Sequence, residues 1–195
     1  MSEFDKMKEH VWYDANYDPD ILKLRAIADD KCFMLNSTMP SDIEKRGEIL
    51  KGLIGDLGKD VTILSPFYCD YGDFIEIGEA TFINHNAYLM DGGGIRIGSH
   101  CFIGPNCGMY TAQHPLIPEE RNRGLERALP IEIGDDCWIG ADVTILPGVR
   151  IGKGSVIGAK SVVTKDVPDG AIAAGNPCRV LRYITENDSV TDTTE

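Results

Sequence analysis

A repeat of six residues in the second half of the chain constrains the fold more than any other feature. Consecutive units from Ile133 to Pro168 read IGDDCW, IGADVT, ILPGVR, IGKGSV, IGAKSV and VTKDVP. The first position is always aliphatic, and the fifth is always small or β-branched. The same frame governs residues 77–94 and, after a slip of two residues, 97–114. Twelve such units indicate a repeat architecture.

A period of six matches neither the 3.6 of a helix nor the alternation of an ordinary strand. It is typical of short strands joined by tight corners, three to each triangular coil, with coils stacked about 4.8 Å apart. We expect first and fifth side chains to fill the interior, and second-position glycines to adopt corner torsions that other residues avoid. The twelve units make four coils, and residues 61–76 supply a fifth. The sequence therefore predicts an all-β solenoid.

The N-terminal segment has helical patterning instead. Asp18 and Pro19 resemble an N-cap and first helical residue, and Ser41 to Glu44 form a capping box before a second amphipathic stretch. We predict a helical cap over residues 1–58, which hides the terminal strand of the solenoid. The solenoid follows over 59–183, with an excursion loop at 112–130 and a C-terminal extension. Residues 184–195 are predicted to be a flexible tail.

Charge and composition exclude several classes of protein. A net charge of −12 argues against nucleic acid or an anionic membrane as partner. Residues 150–182 nevertheless hold six basic and two acidic side chains, which fits either a small anionic ligand or a solvated face. No stretch is long enough to span a bilayer and no apolar signal core begins the chain, so we predict a cytoplasmic protein. The six cysteines form no C-x-x-C pair and are predicted to be buried thiols.

The repeat is interrupted for eighteen residues between His114 and Ile133. Long excursions in compact domains are usually functional or disordered. His114 begins this one, and Pro115 favours an extended backbone before it, which would fix the direction of the imidazole. A histidine titrates near neutral pH and therefore suits a general base. His114 is the candidate catalytic residue.

Four motifs extend this interpretation to nearly the whole chain: WYDANYDPDIL…R, INHN, YTAQHP and GAKSVVTKDVPDG…AAGNPCRVLR. Together they resemble the maltose and galactoside O-acetyltransferase branch of the hexapeptide-repeat acyltransferases, over residues 3–183. The resemblance implies a left-handed parallel β-helix with an N-terminal α-helical cap. It also implies a homotrimer with active sites between subunits. The implied reaction is acetyl transfer from acetyl-CoA to a sugar hydroxyl, with no metal required.

The resemblance also implies roles for individual residues. His114 would be the general base, and Asn84 would donate to the acceptor oxygen or the tetrahedral oxyanion; from sequence alone, Asn84 could equally be an asparagine that tolerates positive φ at a corner. The implied acceptor pocket contains Asp14, Asp70, Asn84, Asp91 and Glu126. The implied acetyl-CoA site contains Ala141, Ala159, Thr164, Lys165, Arg179, Arg182 and Trp138, of which Trp138 could instead be a trimer contact.

Three other functions compete with a sugar acetyltransferase. The first is an acetyltransferase for a non-sugar hydroxyl, such as that of an antibiotic. The second is a zinc protein of the γ-carbonic-anhydrase kind, which needs three converging histidines. His85, His100 and His114 occupy different repeat positions, so we do not expect them to converge. The third is a non-catalytic prism, which would leave the basic C-terminal region and the His114 excursion without a purpose.

Overall fold

The computed structural model describes residues 1–191 and begins with a helical region. Its elements are α1 (Glu3–Lys8), β1 (Tyr13–Asp14), α2 (Pro19–Ser37) and α3 (Ile43–Leu53). The side chain of Asp18 caps α2 by accepting the N–H groups of Asp20 and Ile21, as the Asp-Pro signal predicts. Short α1 has no counterpart in the sequence prediction.

The rest of the chain is a column of short strands. Its first three coils contain β2 (Asp56–Leu57), β3 (Thr62–Ile63), β4 (Phe67–Cys69), β5 (Ile75–Ile77), β6 (Phe82–Ile83), β7 (Ala87–Met90), β8 (Ile95–Ile97), β9 (Phe102–Ile103) and β10 (Gly108–Tyr110). The excursion follows, with β11 (Ala112–Gln113), α4 (Pro118–Arg121) and β12 (Leu125–Ala128). The remaining strands are β13 (Ile131–Ile133), β14 (Trp138–Ile139), β15 (Thr144–Ile145), β16 (Arg150–Ile151), β17 (Val156–Ile157), β18 (Val162–Val163), β19 (Ala171–Ala174) and β20 (Arg179–Tyr183). A 3-10 turn at Glu186–Asp188 is the last element in the described part of the chain.

Each coil contributes one strand to each of three faces. Face 1 has the order β2-β5-β8-β13-β16, face 2 the order β3-β6-β9-β14-β17-β19-β20, and face 3 the order β4-β7-β10-β15-β18. All neighbours within the coils are parallel, and only β20 returns antiparallel, against β19. The prediction of a parallel β-solenoid is therefore confirmed. It has five complete coils and a partial sixth, with the first coil beginning at Asp56.

Glycine occupies the second position of many repeats because the coils stack closely there. A Cβ on Gly98 would lie 2.5 Å from the backbone N of Asp135, and one on Gly140 would lie 2.6 Å from that of Ala159. The left-handed torsions occur two residues later, at fourth positions such as Asn86, with φ of 64°. The expectation that second-position glycines adopt corner torsions is therefore wrong, because close approach of the next coil's backbone selects them.

The excursion forms a small antiparallel sheet with the N-terminal segment. Its order is β1-β12-β11, with Tyr13 opposite Glu126 and Gln113 opposite Arg127. The segment before α2 thus packs against the excursion, while α2 and α3 cover the end of the column. The division at residues 58 and 183 stays a prediction, and residues 192–195 of the predicted tail lie outside the described part of the chain.

Helices and column share one hydrophobic core. Leu35 and Leu53 of the cap belong to the same cluster as Phe67 in the first coil, and first-position isoleucines such as Ile139 continue it along the column. Arg46 of α3 is buried and donates to the carbonyls of Leu35 and Ile63 and to the hydroxyl of Ser65, at 3.0–3.1 Å. The six cysteines are free and buried, as predicted. Within residues 1–191, no helix has both the length and the apolar character that crossing a bilayer requires.

Candidate functional site

The imidazole of His114 lies where β11 leaves the column. Its Nδ1 is 2.9 Å from the carbonyl oxygen of Leu125. A carbonyl only accepts, so Nδ1 carries a proton, and in the neutral imidazole the lone pair is then on Nε2. The side chain is 43% exposed. His114 thus presents its imidazole at the surface of the excursion.

An acidic partner faces Nε2 of this imidazole. The Oε2 atom of Glu126 is 3.8 Å from Nε2 of His114, and its Oε1 accepts the hydroxyl proton of Tyr13. Burial, with the Glu126 carboxylate adding to it, raises the pKa of Tyr13, so this phenol stays protonated and donates. The carboxylate is positioned by Tyr13 and can stabilise positive charge on the imidazole.

A second polar cluster surrounds Asp70. Burial raises the pKa of Asp70, although the Tyr88 hydroxyl donates to it and Arg25 Nε lies 3.9 Å away. Arg25 also donates to the Tyr71 hydroxyl at 3.1 Å, and its buried Nε has no hydrogen-bond partner within residues 1–191. Sequence reasoning missed Arg25, Tyr71 and Tyr88; the only signal was the arginine that closes the motif WYDANYDPDIL…R.

Asp91 holds the backbone of this cluster in place. Its side chain is fully buried and accepts the backbone N–H groups of Asp70, Tyr71 and Gly72 at 2.8–3.1 Å. Burial nevertheless raises the pKa of Asp91 to about 6. Asp91 has no exposed surface in this chain, where it positions the backbone of Asp70, and its place in the acceptor pocket stays a prediction. Asp14 is half-buried, and its Oδ1 accepts the N–H of Tyr17 at 2.9 Å.

A cavity of about 450 Å³ opens beside His114. Trp12, Leu125 and Arg127 line it together with the imidazole. It can admit a small polar molecule beside the imidazole. Asn84 is not part of this cavity.

Asn84 lies instead at one end of a groove on face 2. The groove has a volume of about 500 Å³ and crosses four coils, a length of about 14 Å at the usual strand spacing. Ala141 and Ala159 leave its floor open, and Trp138 is 59% exposed at its wall. The Oδ1 atom of Asn84 accepts the N–H of His85 at 2.8 Å, so the amide NH₂ remains free to donate. Asn84 has no positive φ, which removes the corner explanation for this residue.

Basic side chains continue beyond the groove. Arg179 pairs with Ala174, whose Cβ approaches Gly158 at the groove's far end. Arg182 is held by Asp188 through two hydrogen bonds of 2.7 Å. Thr164 and Lys165 are exposed after β18. The structure thus brings Asn84, Trp138, Ala141 and Ala159 together in one groove. Arg179 lies beyond the Gly158 end of this groove, and Arg182 is hydrogen-bonded to Asp188.

The histidines provide no metal centre. Nδ1 of His85 contacts the carbonyl of Ser65, His100 is exposed at a corner, and His114 lies on the excursion. In the described part of the chain, no three His, Cys, Asp or Glu side chains are grouped so as to hold a metal ion. Nothing in this arrangement favours the zinc alternative.

Comparison with known families covers both halves of the molecule. Residues 6–58 match the maltose acetyltransferase hexapeptide capping motif. Residues 130–165 match the bacterial transferase hexapeptide (six repeats), and residues 94–111 match the hexapeptide repeat of succinyl-transferase. A Saccharomyces cerevisiae protein whose name assigns it to the acetyltransferases is 50% identical over 179 residues, which cover 92% of this chain and 91% of that protein.

Solved structures agree with these matches. A maltose O-acetyltransferase from Clostridium difficile superposes with a TM-score of 0.93 at 42% identity, over 95% of this chain and 99% of that one. A galactoside acetyltransferase in complex with coenzyme A gives 0.92 at 34%, over 96% and 94%. A hexapeptide-repeat acetyltransferase from Vibrio cholerae complexed with acetyl coenzyme A gives 0.87 at 39%, over 95% and 100%. The column is the left-handed β-helix of these enzymes, and the chain belongs to the maltose and galactoside O-acetyltransferase family of hexapeptide-repeat acetyltransferases.

Proposed function

We propose that this acetyltransferase moves the acetyl group of acetyl-CoA to a hydroxyl of a sugar of the maltose, glucose or galactoside type, with His114 as general base. The observation that carries the proposal is the hydrogen bond from His114 Nδ1 to the Leu125 carbonyl. The imidazole lines a cavity that a sugar can enter, and its Nε2 faces Glu126. Sugar hydroxyls are weak acids, and their attack on a thioester needs a base at that point.

In the proposed reaction, Nε2 removes the hydroxyl proton while the sugar oxygen attacks the thioester carbonyl. Glu126, 3.8 Å from Nε2, stabilises the imidazolium that forms. The C–S bond then breaks, and the imidazolium returns its proton to the leaving thiolate. The products are the acetylated sugar and free CoA. No covalent acetyl-enzyme is required, and the buried cysteines take no part.

The face 2 groove suits acetyl-CoA. Its small floor residues admit a narrow pantetheine arm, and the free amide of Asn84 can donate to the oxyanion at the reacting end. Arg179, past the opposite end, suits the adenosine 3′-phosphate because a guanidinium can donate two parallel hydrogen bonds. The Vibrio cholerae relative with acetyl coenzyme A supports this assignment. Thr164, Lys165 and Arg182 are proposed to contribute at the phosphate end.

The acceptor would bind near the excursion, in contact with Asp14, Asp70, Asn84 and Glu126. His114 and Asn84 line different cavities of one chain. We therefore propose a homotrimer, in which His114 of one subunit meets the face 2 groove of its neighbour. Exposed Phe102 and Trp138 on face 2 support such an interface, because large apolar patches mark interaction surfaces. A cytoplasmic location is part of the same proposal.

A thiol-release assay tests the function directly. Purified protein and acetyl-CoA are incubated with maltose, glucose, a galactoside and chloramphenicol, and free CoA is measured against a reaction without acceptor. Release stimulated by the sugars supports the proposal. Release stimulated by chloramphenicol alone would move the enzyme to the non-sugar acceptors.

A further inference from the structure

The small antiparallel sheet carries a row of side chains that the proposed reaction does not use. Tyr13 pairs with Glu126, so the preceding Trp12 lies next to Arg127, which pairs on its other side with Gln113. Side chains alternate between the two faces of a sheet. Trp12, Arg127 and Gln113 therefore form a second row, one residue along from Tyr13 and Glu126.

Contacts within this row hold the guanidinium of Arg127 in place. Its Cζ atom is 5.2 Å from the centre of the Trp12 ring. With its amide oxygen turned towards Arg127, Gln113 accepts from Nη2 at 2.5 Å and from Nε at 2.8 Å. Gln113 uses two of the five guanidinium N–H groups. None of the ion pairs formed between residues 1 and 191 involves Arg127.

The row and His114 line one cavity. Trp12, Arg127 and Gln113 form one part of its wall, His114 and Leu125 another, and the volume is about 450 Å³. Trp12 is 40% exposed there. An indole ring packs against the apolar C–H face of a sugar, while guanidinium N–H groups donate to its hydroxyls. The cavity therefore offers two chemistries at two places: a base at His114 and a sugar-binding platform at Trp12.

We propose that Trp12 and Arg127 form a second saccharide subsite, which binds the sugar ring next to the one that is acetylated. The proposal rests on the proposed function and specifies which sugars the enzyme prefers as acceptors. It assigns disaccharides and longer neutral saccharides as preferred acceptors over monosaccharides. A pyranose on the platform would hold the neighbouring ring beside His114 at the edge of the sheet, which lowers the entropic cost of the reactive arrangement.

Substitution at Trp12 tests the subsite through a ratio of two acceptors. The ratio is kcat/KM for maltose divided by kcat/KM for glucose, measured at saturating acetyl-CoA. We expect the wild-type ratio to be well above one and Trp12→Ala to lower it by about three- to tenfold. Arg127→Gln, which removes the charge but keeps a hydrogen-bonding side chain, should lower it as well. Phe33→Ala is the matched control, because Phe33 is an aromatic residue of α2 that is 73% exposed and lies outside the cavity.

The outcomes distinguish a failure of the saccharide subsite from a failure of the proposed sugar acetylation. A wild type that acetylates both sugars with equal efficiency would overturn the subsite, and so would an unchanged ratio in Trp12→Ala and Arg127→Gln. The acetylation of sugars would still stand in either case. A wild type that acetylates neither sugar would instead overturn the proposed function. Unchanged acetyl-CoA KM in the variants shows that any loss belongs to the acceptor side.

Discussion

The imidazole of His114 owes its reactive form to a single backbone carbonyl. Leu125 O fixes the Nδ1–H tautomer, and Glu126, the next residue, faces Nε2. One stretch of β12 thus orients the base and stabilises its charged form. The sequence indicated His114 through the following proline and the broken repeat. It named Glu126 only as an acceptor residue and gave no sign of the Leu125 contact, because both come from the other strand of the excursion.

Replacing His114 tests its role as base. We expect His114→Ala to lower kcat by about 10²- to 10⁴-fold, the usual contribution of a positioned general base. Acetyl-CoA binding, measured by calorimetry, and the thermal midpoint should stay close to wild type, because the side chain is 43% exposed. His100→Asn is the control, since His100 is an exposed histidine with φ of 56°, a torsion that asparagine tolerates. Near-normal turnover in His114→Ala would remove this residue from the mechanism.

Asp91 predicts a pH dependence of stability. Its pKa in the folded protein is about 6, above the ordinary 3.8, because the carboxylate is buried. Between these values the folded state binds more protons than the unfolded state, so this group's contribution to the free energy of unfolding falls as pH rises. The loss from pH 4 to pH 7 is about 2 kcal/mol.

Urea denaturation of wild type and Asp91→Asn across this range measures the effect. Asparagine cannot ionise, so the variant lacks this group's pH-dependent contribution to the free energy of unfolding. A hydrogen bond lost in the variant changes that free energy by the same amount at every pH. We expect the wild type to lose stability relative to the variant by about 2 kcal/mol between pH 4 and pH 7. A difference that stays flat with pH would show that burial does not penalise this carboxylate.

At the scale of elements, the repeat predicted the coils but not their details. First- and fifth-position residues fill the interior as expected, since a period of six fixes which side chains point inward. The prediction that second-position glycines adopt corner torsions was wrong. Glycine is required there by the backbone of the next coil, and a sequence does not show how closely that coil approaches. The pairing of β1 with β12 was also missed. Tyr13 and Glu126 are 113 residues apart, and two-residue strands carry no periodic signal.

Substitution of two glycines distinguishes the effect of coil stacking on stability from the effect of backbone flexibility. Gly98→Ala places a Cβ 2.5 Å from Asp135 N, so the coils must move apart, and we expect a loss of about 2–4 kcal/mol in the free energy of unfolding. Gly47 lies within α3 and has no atom within 4 Å of an added Cβ. Gly47→Ala should therefore gain about 0.5–1 kcal/mol. Chemical denaturation of both variants measures the contrast, and equal effects would contradict the stacking explanation.

At the scale of the whole molecule, the three faces of the column differ in chemistry. Face 1 carries exposed charged pairs such as Arg96 with Glu76, at 2.7 Å. Face 2 exposes Phe102 and Trp138 beside the groove. A charged face suits solvent, and an aromatic face suits a neighbouring subunit. The sequence could name His114, Asn84 and the basic C-terminal residues, but the separation of His114 and Asn84 into two cavities depends on the folded column and excursion.

That separation gives a complementation test of the proposed trimer. His114→Ala removes the base from the excursion, and Asn84→Ala removes the donor from the groove, so each variant alone should be nearly inactive. In mixed trimers, a site is intact when its excursion comes from an Asn84→Ala subunit and its groove from a His114→Ala subunit. Random assembly of equal amounts makes about a quarter of the sites intact, so co-expression should restore about a quarter of wild-type turnover. A mixture of His114→Ala with His114→Asn should restore nothing, because every site then lacks its base. Failure of the first mixture to exceed its two components, with trimers confirmed by light scattering, would place His114 and Asn84 of one chain in the same site.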